Sequence, residues 1–133
     1  MSQENVEIVR EAYEAWQAGD LDGFLAVMDD DVITRRLAPL PDPGTWHGSD
    51  GMLAVIADWV DTFDEFTITE AEFIDAGDQV VARIAQEGRI KGSGGNPVPG
   101  TFWFVFGVRG GKLVTMDMYP DKAQALEAAG LRE

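Results

Sequence analysis

Residues 101–119 read TFWFVFGVRGGKLVTMDMY. Two apolar runs flank Gly110-Gly111, and glycine accepts the positive φ that a two-residue hairpin turn needs. The stretch predicts two antiparallel strands, 101–109 and 112–119. The pattern continues upstream, with strand candidates over 79–91 and 66–74 joined by the turn Asp75-Ala76-Gly77-Asp78. Residues 92–100 are rich in glycine and proline and read as an irregular connection. They do not match a phosphate-binding loop, because the Lys-Ser/Thr tail is absent and no strand-to-helix passage surrounds them.

Further upstream the period changes from strand to helix. Val6, Val9, Tyr13 and Trp16 recur on one face, and Gly19 suits the helix stop. Asp20 caps a short second helix with Leu21, Phe24, Leu25 and Met28 inward, and Asp29-Asp30-Asp31 ends it. Residues 32–36 form a short β-branched strand candidate. Residues 37–48, with Pro39, Pro41 and Pro43, read as a loop. Ser49 then caps a third helix, whose apolar stripe is Met52, Ile56, Trp59 and Phe63. Downstream of the hairpin, Asp121 caps a closing helix over 122–129.

The element order is α-α-β-α-β-β-β-β-α. Helices followed by hairpin-linked strands predict one α+β domain over residues 1–133, with an antiparallel sheet. A twisted, curved sheet wrapped as a cone around the N-terminal helices would leave an interior pocket.

Composition narrows the function. Of 133 residues, 45% are hydrophobic, enough for a sizeable core. There are 24 acidic and 10 basic residues, for a net charge of −14. Such a surface opposes nucleic acid and anionic membranes, both of which select cations. Residues 1–78 carry 19 acidic and 3 basic side chains, as expected of solvated helix faces. Cysteine is absent, which excludes disulfides, thiolate nucleophiles and cysteine-based zinc sites. No apolar run nears the roughly 20 residues of a membrane span. The N-terminus is polar and acidic rather than signal-like, and a cytoplasmic location is expected.

Three strings carry a family resemblance: EAYEAWQAGDLDGFLAVMDDDV (11–32), WHGSDGMLAVIADW (46–59) and GKLVTMDMYPDKAQALEAAGL (111–131). With the aromatic strand between the last two and the element order, they resemble the nuclear transport factor 2-like superfamily, in its SnoaL-like polyketide cyclase branch. The resemblance spans nearly the whole chain. It implies the cone fold with an interior cavity. It leaves activity open, because this fold hosts isomerases, cyclases, dehydratases, hydrolases and binding modules.

The resemblance implies several catalytic sets. The ketosteroid isomerase set pairs a helix-1 Tyr with a strand Asp base and a protonated Asp. Tyr13 matches the Tyr, but the base position falls on Arg36 and the second Asp on Phe102. Arginine stays protonated and cannot act as that base. The limonene epoxide hydrolase relay is Asp-Arg-Asp. Its Arg matches Arg83, whereas its carboxylates fall on Ala85 and Met118. SnoaL-like cyclases imply proton transfer on an activated polyketide by a pocket Asp or His, for which Asp117 and His47 are the candidates.

Each candidate has two readings. Tyr13 either offers a phenol donor to the pocket or is a core aromatic. Arg83, amid Val80, Val81, Ala82 and Ile84, either faces the cavity to stabilise an oxyanion or is ion-paired on the outer sheet face. Arg36 poses the same choice, and arginines turned inward would favour a carboxylate or enolate. Imidazole ordinarily titrates near neutral pH, so His47, the single histidine, is either poised for proton transfer or a solvated loop residue. Asp117 is either a buried base or shares the outer side with Thr115 and Tyr119, leaving Val114, Met116 and Met118 inside.

Trp16, Arg36, Met52 and Ile56 are expected in the pocket wall. Trp59, Phe104, Met116 and Met118 join them. Trp103 and Val105, on the opposite parity, are candidates for a dimer face, since superfamily members often pair through the outer side of the sheet. No ligand spacing supports a metal, and no cofactor is expected. The expected function is binding of a small, largely apolar organic molecule. Cyclase- or isomerase-type proton transfer would use Tyr13 as donor, Arg83 as oxyanion stabiliser, and Asp117 or His47 as acid–base. The alternative is a non-catalytic ligand-binding or accessory module.

Overall fold

The computed structural model describes residues 2–37 and 43–131. Helices α1 (Ser2–Gln17) and α2 (Leu21–Ala26) precede strand β1 (Met28–Arg36), a short β2 (Gly44–His47) and helix α3 (Gly48–Asp61). Strands β3 (Phe63–Ala76), β4 (Gln79–Ile90), β5 (Val98–Arg109) and β6 (Lys112–Tyr119) follow, and α4 (Lys122–Ala128) closes the chain. The strands form one sheet in the order β2-β1-β6-β5-β4-β3. All neighbours are antiparallel except β1 and β6, which run parallel. The α+β architecture is as expected, and the parallel pair modifies the antiparallel sheet.

Several boundaries differ from the sequence expectation. Phe63 opens β3 rather than closing the α3 stripe, and α3 starts at Gly48 with His47, not Ser49, in the capping position. Met28 and Asp29-Asp30-Asp31 belong to β1 rather than to the end of α2. Met28 is buried all the same, because the α2–β1 corner turns it onto the helices. Residues 44–47 are a strand rather than loop, since Thr45 and Trp46 alternate against Arg35 and Thr34 of β1. Pro39 and Pro41 lie outside the described residues. Strand β5 begins at Val98, three residues early. Pro99 fits there because β6 pairs with β5 only from Trp103 onward, so its missing N–H costs no ladder bond on that side.

Bulges bend the long strand β3. Its register with β4 slips between Asp64 and Thr67 and again between Ile68 and Glu70, and Glu65 takes a positive φ of 57°. Such slips raise local twist and let the sheet curl over the helices. They also explain the imperfect alternation of this segment.

Two apolar clusters hold the layers together. On the inner face, Val6 and Val9 of α1 and Phe24 of α2 pack on Val80, Val108 and Leu113. Helix α3 closes on β2 through Gly51, where a Cβ would come within 3.1 Å of Trp46. On the outer face, Ala125 and Leu126 of α4 cover Val81 and Val105. Among the described residues no helix is long and apolar enough to cross a membrane.

Candidate functional site

A cavity of about 150 Å3 lies between the helices and the inner sheet face. Helix α1 contributes Tyr13 and Trp16, and α3 contributes Ile56 and Trp59. The sheet contributes Phe104 and Phe106 of β5 and Met116 and Met118 of β6. These side chains converge because alternate residues of a strand share a face. Phe104 is paired with Met118, and Met118 with Arg36, so one row crosses the inner surface.

The wall is almost wholly apolar. Its polar or part-polar residues are Tyr13, Arg36, Gln86, Trp16 and Trp59. No carboxylate, imidazole or lysine lines it among the described residues. Tyr13 meets Phe73 edge-on at 5.8 Å between ring centroids. Among the described residues none hydrogen-bonds to the Tyr13 hydroxyl. Trp59 Nε1–H donates to Gln86 Oε1 at 2.9 Å, which ties α3 to β4.

Arg36 is 3% exposed. A guanidinium in such surroundings is costly unless its charge is answered. Its Cζ lies 5.3 Å from the centroid of the Trp46 ring and 5.4 Å from that of Trp59, so two aromatic faces hold it. Asp58 Oδ2 approaches at 3.5 Å, from a side chain that is 64% exposed. That carboxylate is largely hydrated and lies at the limit of hydrogen-bond reach.

Several expected site residues lie elsewhere. Arg83 does not reach the hollow. It sits on the outer face of β4, paired with Glu70 and, at 3.2 Å, with Glu72, its cross-strand partner. Both carboxylates push its pKa up. Ile84, one residue on, takes the inward place. Asp117 is also on the outer face, although only 6% exposed. It accepts from Arg35 Nε at 2.7 Å and Arg35 Nη2 at 2.5 Å. Burial raises the Tyr119 phenol above its ordinary range, and the nearby Asp117 charge adds to the rise.

His47 ends β2, is exposed and lies outside the cavity wall. It is paired with Ile33 while Trp46 faces inward with Thr34. Met52 belongs to the solid core rather than the wall. Its sulfur receives the Thr34 hydroxyl at 3.5 Å, and Ile56, one turn on, reaches the cavity instead. The dimer-face expectation for Val105 is overtaken by α4 of the same chain, and Trp103 packs partly beneath that helix with Lys122 over its ring.

Sequence reasoning brought Tyr13, Trp16, Arg36, Ile56, Trp59, Phe104, Met116 and Met118 to this wall, where the structure places them. It missed Gln86. The signal was available, since Val80, Ala82, Ile84 and Gln86 share one parity. Phe66 and Ile68 were hidden by the β3 bulges. Among the described residues no three carboxylate or imidazole groups gather as metal ligands.

The model of the SnoaL-like domain family matches residues 9–116. Among solved structures, the chain is similar to a nuclear transport factor 2-like protein of unknown function from Burkholderia pseudomallei K96243. The two are 28% identical with a TM-score of 0.73, covering 93% of this chain and 95% of that one. A nuclear transport factor 2-like protein from Burkholderia xenovorans LB400 is 30% identical with a TM-score of 0.73, covering 97% of each chain. A candidate polyketide cyclase from Sinorhizobium meliloti shares the fold at 18% identity and a TM-score of 0.67, covering 90% of this chain and 99% of that one. No curated protein matches the chain.

Proposed function

This chain belongs to the SnoaL-like domain family, and from that premise we propose that its cavity binds a small, largely apolar organic molecule. One observation carries the reading: an almost wholly apolar hollow of about 150 Å3 between the helices and the inner sheet face, with Tyr13 in its wall. Burial of the ligand would supply affinity, and the phenol would orient a carbonyl or hydroxyl.

Proton transfer of the cyclase or isomerase kind is the catalytic form of this proposal. The wall supplies Tyr13 as a donor and, among the described residues, no general base. Arg83, Asp117 and His47 lie outside the wall, so they support no role in that step. This favours the second reading, a binding module without turnover. Two copies are proposed to pair through the outer face of the sheet, beside α4. The cysteine-free sequence suits a reducing compartment, and the cytoplasm is the proposed location.

Thermal shift with toluene, phenol and indole tests the cavity, because a ligand of the native state raises the melting temperature. A rise is expected with at least one of them. Silence across the set would leave the cavity without a binding role. A monomer mass in light scattering would remove the pairing.

A further inference from the structure

We propose that the cavity takes uncharged molecules of single-ring size, hydrocarbons or their neutral alcohols, and turns away organic ions of the same bulk. This deepens the cavity-binding reading and rests on it.

Volume sets the upper limit. An apolar cavity of about 150 Å3 takes up benzene, whereas drug-sized ligands occupy roughly 300 Å3 or more. This hollow has the smaller volume. Met116 and Met118 in its wall adapt to irregular outlines, so the limit is one of bulk rather than of flatness.

Charge sets the second limit. An ion that enters gives up its water and needs a counter-charge or several hydrogen bonds in return. Among the described residues the wall holds no carboxylate to receive a cation. Its one charged side chain among them is Arg36, and that charge is answered within the protein. Nη1 and Nη2 both reach Asp58 Oδ2 at 3.5 Å, and the guanidinium lies against the indoles of Trp46 and Trp59. Arg36 makes a further interaction besides these. An anion would therefore exchange one set of partners for another, with its own dehydration uncompensated. Gln86 is engaged as well, since its Oε1 accepts from Trp59 Nε1 at 2.9 Å.

The surface field adds to one side of this filter. A net charge of −14 repels an approaching anion. It attracts a cation, but only within a Debye length of about 8 Å at physiological salt. Inside the wall that attraction gives way to dehydration and to the nearby positive charge of Arg36. A neutral hydroxyl costs far less to dehydrate than an ion, so a ring alcohol stays within the class.

The test is equilibrium dialysis of the full chain at neutral pH against five probes: toluene, benzyl alcohol, benzoate, benzylammonium and the three-ring alcohol 9-fluorenol. Toluene and benzyl alcohol are expected to bind. Benzoate, benzylammonium and 9-fluorenol are each expected to bind at least about tenfold more weakly than the tighter of those two, as burial of an unanswered charge or excess bulk requires. Either ion within tenfold of that reference overturns the charge limit. The fluorenol within tenfold overturns the size limit. Both results spare the cavity-binding reading, because an occupant has been found. Absence of binding by all five overturns that reading and this inference together.

Discussion

Arg35 and Arg36 are adjacent in the chain and opposite in the fold. Arg35 grips Asp117 with two hydrogen bonds of 2.7 and 2.5 Å on the outer face of the sheet. Arg36 turns inward beneath two indoles and is 3% exposed. A strand offers its residues alternately to its two sides, so neighbouring arginines take unrelated roles. One closes the seam between the parallel strands β1 and β6, and the other charges the cavity.

Asp117→Asn therefore tests a structural seam. It is expected to lower the urea midpoint, with a cost of about 2 kcal/mol for a charge-assisted contact. The penalty stays below that of a fully buried ion pair, because the Arg35 side chain is half-exposed and rehydrates. Ligand affinity is expected to hold. Its collapse in a folded variant would return Asp117 to the site.

Arg83→Gln breaks the ladder with Glu70 and Glu72 on the outer face. Exposed pairs of this kind contribute little to stability. Affinity for toluene is expected to stay within about twofold of the unmodified chain, since surface pairs act weakly at a distance. A tenfold loss measured by calorimetry would contradict the outward placement.

Tyr13→Phe removes a hydroxyl that no described residue engages. Stability should change by less than about 0.5 kcal/mol, as for substitutions away from a structural contact. Affinity for a phenol or carbonyl ligand should fall several-fold. Unchanged affinity for every oxygen-bearing ligand would leave Tyr13 as a wall aromatic only.

Trp59→Phe deletes the hydrogen bond to Gln86 Oε1 and replaces one of the two indoles over Arg36 with a smaller ring. Gln86 is 6% exposed, so its stranded oxygen should cost about 1–2 kcal/mol in chemical denaturation. Toluene affinity should fall as the wall loses volume. Unchanged affinity would remove Trp59 from the site.

Asp121 caps α4 by accepting from the backbone N–H of Gln124, which holds its carboxyl below the usual carboxylate value. A depressed carboxylate stabilises the fold above its unfolded pKa, and the contribution fades as pH falls through the folded value. Helix α4 should loosen below pH 3.8, reported by fluorescence of Trp103 beneath it. Asp121→Asn keeps a capping oxygen without the charge and should flatten this acid response. An identical response in the variant would assign the loosening to other groups.

The helices, the hairpins and the fold class were legible because each is written in local periodicity and turn chemistry. Val6, Val9, Tyr13 and Trp16 mark one helix face without reference to any partner, and Gly110-Gly111 marks a reversal by itself. Strand parity also foretold that Asp117 would oppose Met116 and Met118. The β3 bulges were not legible. A register slip is settled by the neighbouring strand, and it shifted Phe66 and Ile68 onto the inner face against simple alternation.

By itself the sequence determined the α+β order, the aromatic lining and the cysteine-free acidic character, all of which follow from residue type and spacing. Only the tertiary structure decided which arginine enters the cavity. Arg36 and Arg83 both sit in apolar strands, and each could have faced either way. Register with β3 set Glu72 opposite Arg83 and drew it outward, while β2 and α3 brought Trp46 and Trp59 over Arg36 and held it in. A buried charge is stable only where distant segments supply its partners, and those meetings exist only once the chain has folded.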